Sequence, residues 1–129
     1  MKNWRIGMML GALALLPLGC ATTHETAGWT RWPGVSEGTQ VSQAAEAMAR
    51  GRLLEAESGL TMAVRATDPT AALMYADIAA LRGNAPVAFD RYVEFFAHHG
   101  DSVWAPVAAS NLADTAESLL TQATWARVA

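Results

Sequence analysis

From Val41 onward, apolar residues recur at every third or fourth position, and that spacing restricts the chain to helices. Val41, Ala44, Ala45 and Met48 form one stripe, and Leu53, Ala56, Leu60, Ala63 and Val64 form a second. Leu73, Ala76 and Ala80, flanked by Ile78 and Leu81, make a third, and Phe89, Tyr92, Val93 and Phe96 a fourth. A longer fifth runs through Trp104, Val107, Ala108, Leu112, Thr115, Leu119 and Ala123. No stretch alternates polar and apolar residues with β-branched enrichment, so strands are not expected. The pattern predicts an all-α body of five helices with short connections, folded as an antiparallel array.

The punctuation between stripes agrees. Asp68-Pro69 pairs an N-cap acceptor with proline at the first helical position, where its missing N–H costs nothing. Asn84 and Asp101 (or Ser102) are placed to cap the two following starts. Gly51, Gly83 and Gly100 each follow a stripe, where a left-handed residue would end the helix. Pro86 and Pro106 fall within a first turn, where proline is tolerated.

The beginning of the chain has a different character. Lys2 and Arg5 precede an apolar run that leads to Pro17-Leu18-Gly19-Cys20. A basic start, a short apolar core and small residues at its end describe a secretory signal peptide. The uncharged run from Ile6 to Cys20 is fifteen residues, short of the roughly 20 that a spanning helix needs. Cysteine directly after Leu-Gly resembles the bacterial lipobox, which implies lipidation at Cys20; a plain signal peptide cut elsewhere is the alternative. The expected organisation is a signal peptide over 1–19, a lipidated cysteine and tether over 20–39, and a helical domain over 40–129. The tether is rich in Thr, Gly and Pro and carries Trp29 and Trp32, which are expected to dock on the body, meet lipid or contact a partner.

Charge and composition close off several classes. The 129 residues carry a net charge of −3, and without residues 1–19 there remain seven arginines, no lysine and twelve acids. Such a chain lacks the basic face that nucleic-acid binding requires. A single cysteine excludes a disulfide-stapled fold. No nucleophile elbow, phosphate loop, dinucleotide fingerprint, zinc-protease helix or calcium loop is present, so the chain is not expected to be an enzyme or to need a cofactor. His98 and His99 are adjacent and do not share a helix face. Glu94, His98 and Asp101 make at most a weak metal set, and a helix C-terminus is the simpler role for the histidines. No metal is expected.

A repeat runs through the body. Gly51 and Gly83 lie 32 residues apart, each followed five residues later by a small alanine, Ala56 or Ala88, and four beyond that by Leu60 or Tyr92. Alanine lets helices approach, and the bulky residue fills the groove beside it. This pattern resembles the tetratricopeptide repeat, whose period is about 34 residues. Trp104-x2-Val107-Ala108 is similar to that repeat's opening signature. The resemblance implies a solenoid of about two and a half repeats, with the first helix of each pair lining a concave surface. Matching positions here are Val41, Ala45, Met48, Thr70, Leu73, Asp77 and Ala80.

The resemblance therefore implies a partner-binding face carried by Val41, Met48, Leu73 and Asp77, with the carboxylate of Asp77 open to a basic or N–H-donating partner. Equally compatible with the residues is that Val41, Met48 and Leu73 are core and that Asp77 belongs to the fold, paired with Arg91 or Arg50. The functional expectation is a lipid-anchored envelope protein, at the outer membrane and facing the periplasm, that binds another envelope protein or peptide as a scaffold. Ala21 after the cysteine carries the outer-membrane part, by similarity to enteric sorting signals. The alternative is an N-terminal repeat segment of a larger envelope enzyme, suggested by the uncapped end Thr124–Ala129.

Overall fold

The computed structural model describes Trp32 and residues 34–129; Cys20 and Trp29 lie outside the described residues. Among the described residues six helices follow one another: α1 (Gln40–Ala49), α2 (Leu53–Gly59), α3 (Met62–Thr67), α4 (Pro69–Leu81), α5 (Ala85–His99) and α6 (Ala105–Val128). There are no strands among the described residues, so the all-α expectation holds. None of these helices is long and apolar enough to cross a membrane.

Local chemistry sets most of the boundaries. Thr39 caps α1, its Oγ1 accepting from the Ser42 N–H at 3.2 Å. Asp68 caps α4 through the Thr70 N–H at 2.8 Å, with Pro69 in the first turn. Asn84 accepts from the Val87 N–H at the start of α5. Helices α1 and α4 end in the same way. The Arg52 N–H donates to Ala47 and the Gly51 N–H to Met48; at the second site Asn84 donates to Ala79 and Gly83 to Ala80. This crossed pair requires a left-handed residue, and Gly51 and Gly83 both have φ of +73°.

Three boundaries differ from expectation. The stripe from Leu53 to Val64 is two short helices, because the chain breaks at Leu60, drives that side chain into the core, and restarts under a Thr61 cap. The Arg65 guanidinium donates to the Leu60 carbonyl that the break releases. Gly100 is right-handed, with φ of −63°; a Cβ there would come within 2.9 Å of the Phe96 carbonyl oxygen, so glycine serves close approach at this turn. Neither Asp101 nor Ser102 caps α6, which begins after Trp104 with no side-chain cap.

Helix α4 is the centre of the body. It packs against α1, α2, α3, α5 and α6, which is why it is apolar almost all round rather than along one stripe. Leu73, Met74, Ala76 and Ile78 are fully buried on it, facing Leu60, Ala88, Tyr92 and Phe95 from the neighbouring elements. Each fully buried large side chain stabilises the body by about 1.5–3 kcal/mol relative to exposure.

A constant offset ties the elements together. Four tertiary hydrogen bonds join residues 34 apart: Arg91 to Glu57, His99 to Arg65, Trp104 to Thr70, and Asn111 to Asp77. A fixed difference in number means that the two segments of each pair run in the same direction. Thus side chains of α5 reach α2 and α3 in parallel sense, and the start of α6 lies alongside α4. The glycine turns are 32 apart and these contacts 34, a difference already present at Glu57 and Arg91, ahead of the break at Leu60.

Candidate interaction surface and its polar seams

Two polar clusters cross the helical body. In the first, the Asp77 carboxylate on α4 accepts from the Tyr92 hydroxyl on α5 and from the Asn111 side-chain amide on α6, the latter at 3.0 Å. Three helices are joined through one oxygen. Burial pushes the Asp77 carboxyl above its usual range, partly offset by the two donors. The Tyr92 phenol is pushed above its usual value as well, first by burial and then by its bond to Asp77. A carboxylate held in this way is tolerated because the donors replace part of its lost hydration.

The second cluster lies where α3, α4 and α5 meet. The Arg65 and Arg91 guanidinium carbons stand 3.8 and 3.6 Å from the Tyr75 ring centroid. Two groups at those distances cannot share one face, so the ring is held between two cations. Arg91 donates to the Tyr75 carbonyl at 2.9 Å and to Glu57 at 3.0 Å. Glu57 also meets Arg82, at 3.4 Å. The His99 Nε2–H donates to the Arg65 carbonyl at 2.8 Å and holds the end of α5 against α3. His98 points elsewhere, its Nδ1–H donating to Glu94 of its own helix.

These placements revise the groove expected from the repeat resemblance. Leu73 is fully buried and Val41 nearly so, while Met48 is half-buried. Leu73 cannot offer apolar contact to a partner because neighbouring helices already cover it. Asp77 is not an open carboxylate, because Tyr92 and Asn111 occupy it. Its partner is neither Arg91, which reaches Glu57, nor Arg50, which pairs with Glu46 on α1. The helix-end role expected for the histidines holds for their position, but His99 also makes a tertiary bond.

Sequence inspection did not single out Tyr75, Arg65 or Asn111. The one signal that could have found them is the offset of 34, which pairs Asp77 with Asn111 and Glu57 with Arg91 before any coordinates are consulted.

Exposed large apolar side chains occur on several described elements, and three of them follow one another along the end of one helix. The far half of α6 carries Leu120, Trp125 and Val128, at 71%, 69% and 76% exposure. At about 1.5 Å per residue α6 is roughly 36 Å long against about 22 Å for α5, so α5 cannot cover it to its end. Comparison of the chain with protein-family models, with curated proteins and with solved structures finds no match.

Proposed function

We propose that this chain is a lipid-anchored protein of the bacterial envelope whose helical body, a tetratricopeptide-like stack of helix pairs, binds another envelope protein or peptide. The anchor is Cys20, and the outer membrane, facing the periplasm, is its proposed site. Support for the anchor comes from the basic–apolar–Leu-Gly-Cys order, and support for the repeat from the four bonds at an offset of 34. The observation that carries the interaction role is the exposed Leu120, Trp125 and Val128 of α6. Large apolar side chains left in water at one end of a helix mark a surface that another protein covers. The partner face is thus moved from the buried Val41 and Leu73 and the hydrogen-bonded Asp77 to the far half of α6.

Two measurements test this. An alkynyl fatty acid fed to cells should label the wild type and leave Cys20→Ser unlabelled; an unlabelled wild type removes the anchor. A photo-crosslinking residue at position 125 should capture one discrete envelope protein, while the same residue at Leu54, exposed on α2, should not. With the crosslinking residue moved to the exposed position 128, Trp125→Ala should weaken capture yet move stability by no more than about 0.5 kcal/mol. Equal capture from position 125 and from Leu54 would remove α6 as the partner face.

A further inference from the structure

A cleft of about 220 Å³ opens between α3, α4 and α5, with Arg65, Tyr75, Arg91 and Phe95 among its lining residues and Met62 and Glu94 beside them. Both faces of the Tyr75 ring are taken by the two guanidinium groups, so the edge of the ring is what it presents to the cleft. The Tyr75 hydroxyl makes no hydrogen bond with any described residue. Charge is unevenly balanced here. Arg91 is neutralised by Glu57 at 3.0 Å. Arg65 forms no ion pair with a described residue, and the one hydrogen bond of its guanidinium to a described residue goes to the Leu60 carbonyl. A guanidinium has five N–H donors, so most of those on Arg65 are unused. Among the described residues, the cleft therefore combines a guanidinium with no ion-pair partner, a hydroxyl with no hydrogen bond and an apolar wall that includes Phe95 and Ala72.

We propose that this cleft binds a small organic oxyanion, a carboxylate or phosphate on a flat apolar body, with Arg65 as the anion-binding residue. The planar fork of arginine matches an oxyanion in two-point geometry, and charge-assisted bonds of this kind are roughly twice as strong as neutral ones. The Tyr75 hydroxyl adds a third donor, and stacking against Tyr75 keeps the guanidinium in place before the ligand arrives, which lowers the ordering cost of binding. Glu94 at the cleft opposes an anion and sets an upper limit on affinity. The volume excludes a folded segment and suits a single small molecule. This site is independent of the lipid anchor and of the α6 surface.

The test uses the full chain in a non-ionic detergent and fluorine NMR of three probes: 4-fluorobenzoate, 4-fluorophenyl phosphate and the neutral 4-fluorobenzyl alcohol. Saturable line broadening is expected for an anion and not for the alcohol; which anion binds more tightly separates a carboxylate from a phosphate source. Arg65→Gln should weaken anion binding by about tenfold or more, the loss of one charge-assisted contact. Glu94→Gln, which alters a side chain with no ion pair in the fold, should tighten anion binding by about two- to threefold through loss of like charge. Should Arg65→Gln fail to fold, Glu94→Gln decides: affinity equal to wild type overturns the proposal. Binding of the alcohol as tightly as the anions, or no anion binding by the wild type, overturns it as well.

Discussion

The two polar seams are built from similar parts and do opposite things. Each holds a tyrosine, a charged group and donors from more than one helix. At the first, Asp77 is half-buried, both donors aim at one carboxylate oxygen, and α4, α5 and α6 are joined to one another. At the second, the cations are more numerous than the anions that meet them, the ring edge faces a cleft, and Arg65 keeps unused donors. A buried charge whose bonding is fulfilled specifies packing; one placed at the edge of a cleft stays available for something outside the chain. Charge alone does not separate a structural group from a binding one. Partner geometry does.

That contrast can be broken by substitution, and the largest effect belongs to Asp77→Arg. It places a cation beside two donors that have no other acceptor, so the loss should be at least about 3 kcal/mol in chemical denaturation. A mutant of wild-type stability would mean that Asp77 is open after all. Tyr92→Phe comes next. It removes one donor from the carboxylate, and about 1.5–3 kcal/mol is expected for a hydrogen bond to a charged group. The smallest effect belongs to the open seam. Arg65→Gln loses a stacked guanidinium and a bond to one carbonyl, with an expected cost of about 1 kcal/mol. A cost for Arg65→Gln above that of Tyr92→Phe would reverse the assignment of the two seams.

Much of the fold was legible in the sequence because local chemistry dictates it. Asp68, Asn84, Gly51 and Gly83 do at the helix ends what their residue types require. Ala88 is fully buried, as a close helix contact demands. The break at Leu60 was not legible. Periodicity continues across it, and what ends α2 is the pull of a buried leucine together with an arginine that satisfies the freed carbonyl. The site was misplaced for a related reason. In the repeat pattern the first helix of each pair lines a groove, whereas here α4 is covered on nearly every side by its neighbours. Spacing states which residues share a face; only packing decides whether that face is open.

The central claim is that the half-buried Asp77 carboxylate belongs to the fold, held by Tyr92 and Asn111, and its titration tests that most directly. Its folded value is raised above 3.8, so the folded state holds this proton more tightly than the unfolded chain does. Its contribution to stability is therefore fully present below pH of about 3.8 and is lost as pH rises through the raised folded value. Tyr92 acts in the same sense at alkaline pH, since its unfolded phenol ionises near 10.0 and its folded one higher. Asp77→Asn keeps an acceptor oxygen for Tyr92 and Asn111 but cannot titrate. Unfolding free energy, followed from pH 7 down to pH 4 for both proteins, should show the wild type gaining on Asp77→Asn as pH falls. A difference that stays constant with pH, or wild type losing ground as pH falls, would contradict an Asp77 carboxyl desolvated and held by the fold.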